Sequence, residues 1–149
     1  MTQSFQGLNQ LSEARAEAEF LKCCGSFNWA RMMSEARPFA SLEDLLAKAD
    51  SLWRSMSEDD WLEAFRVHPK IGEQAAAAQS EQARNWSKQE QLGTESADAK
   101  TRAALAAGNL AYEKRFGFIF IVCATGKSSE EMLVILTRRL QNEPRAELP

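Results

Sequence analysis

His68 is the only histidine in the chain, and it stands directly before Pro69 in the stretch Glu63-Ala64-Phe65-Arg66-Val67-His68-Pro69-Lys70-Ile71-Gly72-Glu73. Imidazole is the side chain whose ordinary pKa lies nearest neutrality. The residue before a proline is pushed out of the α region, so a helix is expected to give way at His68. A lone imidazole at a helix exit, followed by a Pro/Gly turn, suits proton transfer. The same placement also suits a half-buried histidine that caps a helix, and residue type and position leave both readings open. Two further sets of residues bear on the chemistry. Ser87 and Glu90 match the S-x-x-E capping box, and the spacing favours that structural role for both. Arg138 and Arg139 fall near the end of an expected helix, where a cation suits the helix dipole. No phosphate-binding glycine loop, nucleophile elbow or H-E-x-x-H zinc motif is present.

The bulk properties exclude several classes. The 149 residues are expected to form one domain, with 44% hydrophobic and 26% charged residues, as in ordinary globular chains. A net charge of −3 supplies no basic field for nucleic acid. No apolar run is long enough to span a bilayer, and no basic-then-apolar secretory signal stands at the start. Cys23, Cys24 and Cys123 make an odd count without metal-type spacing, against a disulfide framework or a zinc site. The vicinal pair reads as packing at a helix end, and a reducing, cytoplasmic setting is expected.

The elements that must position these groups are almost all helical. Phe5–Gln10 is short and mixed in character. Ser12 is expected to cap a helix that runs to about Cys24 and stops at Gly25. Ser26 starts a second helix to about Ala36, with Trp29, Met32 and Met33 inward, broken by Arg37-Pro38-Phe39. Ser41 and Asp44 open the clearest amphipathic helix, with Leu42, Leu45, Leu46, Ala49, Leu52, Trp53 and Met56 on one stripe. Ser57 and Asp60 repeat that cap pattern before a short helix, with Trp61, Leu62 and Phe65 inward, that delivers His68. Ile71–Arg84 reads as a connection or marginal helix. A long helix from about Ala97 to Phe116, with Leu105, Leu110 and Phe116 inward, is expected to end at Gly117. Ser128 and Glu131 open the last helix, along which Met132, Leu133, Leu136 and Leu140 are spaced; the tail from Glu143 to Pro149 is expected to fray.

Phe118-Ile119-Phe120-Ile121-Val122-Cys123-Ala124 is the exception. Its composition reads as a strand, yet no second strand is present to pair with it. If extended and buried, its backbone groups need side chains, water or a ligand as partners. The alternative is the buried start of the next helix. The fold class expected is therefore all-α, a single-domain bundle of about seven helices with one short extended segment.

A set of short strings, in order, then carries a resemblance. They are Cys23-Cys24-Gly25-Ser26, Arg37-Pro38-Phe39, His68-Pro69-Lys70-Ile71-Gly72, Trp86-Ser87 through Glu90-Gln91, Tyr112-Glu113-Lys114-Arg115-Phe116-Gly117 leading into the apolar run, and Arg139-Leu140-Gln141-Asn142. Over nearly its whole length the chain resembles the 2-oxo-4-hydroxy-4-carboxy-5-ureidoimidazoline (OHCU) decarboxylases of urate degradation. The resemblance implies an all-helical homodimer that converts OHCU to (S)-allantoin without cofactor or metal. It implies catalytic roles for His68 and Glu90. It implies substrate contacts from Pro69, Ser87, Gln91, Arg139 rather than Arg138, and the backbone of Ile119, Phe120 and Ile121. Lys70 departs from the pattern, an arginine being common there, and little effect is expected if it faces solvent. The implied substrate carries its own electron sink, a ring imine beside the carbon that loses carbon dioxide, so orientation and proton transfer remain for the protein.

Overall fold

The computed structural model describes residues 5–70 and 98–148. The expected Ile71–Arg84 connection and the Ser87–Glu90 cap lie outside the described residues. Among those described there are eight helices and no strand: α1 (Phe5–Gln10), α2 (Glu13–Cys23), α3 (Phe27–Glu35), α4 (Leu42–Ser55), α5 (Glu58–Val67), α6 (Ala99–Phe116), α7 (Ser129–Arg139) and α8 (Pro144–Glu147). The chain divides into two compact units, Met1–Ala64 and Phe65–Pro149.

In the first unit, helix starts follow cap chemistry. Ser26 Oγ accepts from Trp29 N, and Glu63 Oε2 accepts from Phe27 N at 3.0 Å, so two N–H groups at the head of α3 are satisfied. Ser41 Oγ accepts from Asp44 N at 3.1 Å, while the Asp44 carboxylate reaches Ala40 N at 2.9 Å, one residue before the reciprocal position of a capping box. Ser57 and Asp60 cap each other's amides at 3.0 and 3.3 Å. Ser12 sits at the head of α2 without a side-chain cap bond. Gly25 is not the left-handed stop expected after α2. The chain leaves the helix at Cys24 in an extended conformation (φ −145°, ψ 124°), which needs no glycine.

The core of this unit is Ala16, Phe20, Trp29, Ala30, Met33, Phe39 and Met56. Phe20 meets Trp29 and Phe39 edge-on, with centroids 6.0 and 6.1 Å apart. Arg37 explains the Arg-Pro-Phe string: its Nη1 donates to Leu8 O and Leu11 O at 2.7 Å each, and its Nε to Ser34 O at 2.9 Å. Asn9 brackets the Phe39 backbone with two 2.9 Å bonds, so the turn after the cis Arg37–Pro38 peptide is tied to α1. Phe5–Gln10 is thus a helix that the sequence did not announce. On α4, Leu45, Ala49, Leu52 and Trp53 pack on the core, but Leu42 and Leu46 are exposed. The stripe continues through the first turns of α4 beyond the core that would cover it.

The second unit is built on α6 packed against α7. Its core is Leu105, Tyr112, Phe120, Ala124, Met132 and Leu136. Asp98 caps α6 by accepting from Thr101 N, and Gly117, at φ 82°, closes it with a bond from its N–H to Glu113 O at 2.8 Å. Leu110 is exposed rather than inward. The face of α6 towards α7 passes through Gly108, and Leu110 lies about 200° round the helix from it. Ser128 and Glu131 form the complete capping box expected for α7. After Gly117 the chain runs without helix or ladder to Ala124, so the apolar run is neither the strand its composition suggests nor the buried start of the next helix. The tail is not frayed. Pro144 stands in the first turn of α8, a position that suits its missing N–H, and Glu147 is buried.

Candidate active site

α5 delivers His68 as expected: its N–H bonds Phe65 O at 3.2 Å, and the chain leaves the helix there. The ring is exposed, so the half-buried capping role does not apply. Nδ1 lies 2.9 Å from Pro69 O. A carbonyl oxygen only accepts, so Nδ1 carries a proton, and the neutral ring has its lone pair on Nε2. That is the tautomer a general base requires.

Among the described residues, a ring contact and an ion pair help to hold the His68 segment. Phe65 packs against Phe118, at the start of the apolar run, with rings tilted by 47° and centroids 5.7 Å apart. Lys70 Nζ pairs with Glu113 Oε2 at 2.7 Å. Lys70 is therefore not a plain solvent-facing substitution but one end of a half-exposed ion pair, and such pairs contribute up to about 1 kcal/mol.

Arg139 ends α7, and its neighbour Arg138 is exposed. The Arg139 guanidinium lies over the rings of Tyr112 and Phe120, 5.4 and 5.1 Å from their centroids. Its Nη1 donates to Ile121 O at 2.7 Å. Part of the backbone requirement of the unpaired run is thus met by a side chain. On the other edge, Nε donates to Glu147 Oε2 at 2.8 Å, and Nη2 donates to the Tyr112 hydroxyl at 2.9 Å. Tyr112 in turn donates to Glu147 Oε2, and Asn142 Nδ2 donates to Oε1 at 2.6 Å. Burial pushes the Glu147 carboxyl upward, but the bonds from Arg139, Tyr112 and Asn142 outweigh it and hold the group below its ordinary range. Burial, reinforced by the bond to Glu147, drives the Tyr112 hydroxyl well above the ordinary tyrosine value, so it stays a neutral donor.

Phe120, Ile121 and Arg139 are thus brought together, and Ile119 lies half-buried in the same run. His68 and Pro69 form the helix exit. Ser87, Glu90 and Gln91 lie outside the described residues. Among those described, no three His, Cys, Asp or Glu side chains converge as a metal site would require. Tyr112, Asn142 and Glu147 stand around Arg139 without having been expected there. Pro144 just inside a short helix was the available signal for an ordered tail, but nothing in the sequence says that Glu147 turns inward to Arg139.

Residues 9–149 fit the model of the OHCU decarboxylases, and the chain belongs to that family. Among its relatives is the uric acid degradation bifunctional protein TTL of Arabidopsis thaliana, 38% identical over 89% of this chain and 41% of that protein. The 2-oxo-4-hydroxy-4-carboxy-5-ureidoimidazoline decarboxylase of Amia calva is 33% identical over 74% of this chain and 63% of that one. The chain therefore spans less than two thirds of the length of these curated relatives. Its fold is also similar to a crystal structure of an OHCU decarboxylase in the presence of (S)-allantoin, with 37% identity, a TM-score of 0.71, and 87% of this chain and 83% of that one covered.

Proposed function

We propose that this chain is a single catalytic domain that decarboxylates OHCU to (S)-allantoin, cofactor-free, cytoplasmic and as a homodimer. The observation that carries the reading is Arg139 seated against Ile121 O on the extended run, in a chain of this family. Three of the substrate-contact positions that the resemblance implies, Phe120, Ile121 and Arg139, meet there.

In the reaction, the bond from the ring carbon to the carboxylate breaks and carbon dioxide leaves. The freed electron pair forms a double bond between the two ring carbons, and the imine pair shifts onto nitrogen, which takes a proton from water and becomes the ring N–H of the product. His68 Nε2 takes the proton of the hydroxyl on the reacting carbon, and that oxygen becomes the carbonyl of the product. A proton is added to the neighbouring carbon, and the face that receives it sets the S configuration. Glu90 orients His68 or bonds the ureido group. Arg139 holds a substrate oxygen by a charge-assisted bond. Pro69, Ser87, Gln91 and the backbone of Ile119–Ile121 fix the ring and ureido amides.

The test uses freshly generated OHCU, followed by circular dichroism. His68→Ala is expected to lower kcat by roughly 10²–10⁴-fold, the range of a positioned proton transfer, and Glu90→Gln to impair turnover as well. Optically pure allantoin at the wild-type rate from His68→Ala would sink the assignment. A wild-type protein that does not accelerate the reaction would leave a helical binding module as the reading.

A further inference from the structure

Arg139 is held by residues of its own chain. Its Nε donates to Glu147 Oε2, its Nη2 lies 2.7 Å from that oxygen and also donates to Tyr112, and its Nη1 donates to Ile121 O. Nε carries one hydrogen and each Nη two. Hydrogen bonds among the described residues thus engage Nε–H, one hydrogen of Nη2 and one of Nη1. One N–H is left on each Nη, that of Nη1 beside the run that carries Ile121. The rings of Tyr112 and Phe120 fix the tilt of the guanidinium plane, and Glu147 fixes its rotation within that plane.

An ion pair removed from water is weak evidence of a contribution to stability, because desolvation offsets much of the attraction. A 6% exposed carboxylate on a four-residue helix therefore calls for another reason. We propose that Glu147 is a positioning residue for the decarboxylation. From α8 it takes the Nε/Nη2 edge of Arg139 and leaves the Nη1 edge aimed at the substrate beside Ile121. The inference rests on the activity proposed above. An arginine without this partner would lose its rotamer freedom only on binding, at the expense of affinity. The opposite arrangement, in which Glu147 occupies the arginine in the substrate's place, predicts the reverse change in KM.

Two measurements decide. In the turnover assay, Glu147→Ala is expected to raise KM about tenfold while kcat stays within about threefold, the pattern of lost binding common to ground and transition states. Glu147→Gln, which keeps an acceptor oxygen, is expected to retain part of the affinity. In an Arg139→Lys background, Glu147→Ala should add nothing, since the residue acts through Arg139. An unchanged or lowered KM, or the same rise in both backgrounds, overturns the proposal. If Glu147→Ala melts out, Glu147→Gln carries the comparison, with a smaller rise in KM expected that disappears in the Arg139→Lys background. The second measurement needs no substrate. The Arg139 Nε–H should give a protected NMR resonance in the wild-type protein that is lost in Glu147→Ala, and its persistence overturns the positioning role. A wild-type protein without turnover would instead count against the proposed activity, and the NMR result would still judge the positioning.

Discussion

At the scale of single residues, the charge states around Arg139 set a pH dependence whose sign follows from their shifts. Glu147 ionises more readily in the folded chain than at its ordinary value of 4.5. As pH falls below 4.5, the unfolded chain takes up the proton first, so the stability contributed by Glu147 is present above that value and lost below it. Tyr112 runs the other way. Its folded pKa is raised above 10, so its contribution is present below pH 10 and lost as pH rises further. Thermal melts across both ranges should show two declines. Glu147→Gln should flatten the acid one and Tyr112→Phe the alkaline one. Identical profiles in the variants and the wild type would mean that these groups titrate alike in the folded and unfolded chains. His68 adds a different lesson: the sequence places it at a helix exit, while the bond from Nδ1 to Pro69 O leaves Nε2 as the nitrogen open to accept a proton in the neutral ring.

At the scale of elements, the second unit depends on how closely α6 approaches α7. A β-carbon on Gly108 would lie 2.6 Å from Cδ2 of Leu136, and Leu136 is fully buried. Gly→Ala inside a helix gains up to about 1 kcal/mol in propensity. Overpacking against an immobile side chain costs about 1–3 kcal/mol, so the cost wins. Gly108→Ala is expected to lower the melting temperature by about 3 °C, for a net loss near 1 kcal/mol. A rise would show that Leu136 repacks freely. The caps of α3, α4, α5 and α7 were legible because they are local: Ser26, Ser41, Ser57 and Ser128 each bond an amide three residues on. Leu42, Leu46 and Leu110 were misread because periodicity reports a stripe and not what faces it.

At the scale of the whole molecule, each unit has its own core, and among the described residues no helix is long and apolar enough to cross a membrane. Trp29, Met33, Met56 and Met132 are buried, and the exposed large apolar residues include Phe27, Leu42, Leu46 and Leu110. Light scattering is expected to give twice the 16.7 kDa chain mass, and a monomer across the working concentration range would refute the proposed dimer.

The sequence by itself determined the helical class, four helix caps, the exit at His68 and the helix stop at Gly117, since each depends on neighbours within a few residues. The order of short strings, from Arg37-Pro38-Phe39 to Arg139-Leu140-Gln141-Asn142, was enough to recognise the family. Only the tertiary structure decided what meets Arg139. Tyr112, Ile121, Asn142 and Glu147 come from an α6 helix, an extended run and the chain's end, and their hydrogen bonds join residues that local periodicity cannot relate. Glu147 looked like part of a loose tail, and it is buried because Arg139, Tyr112 and Asn142 together supply the bonds that a carboxylate withdrawn from water needs.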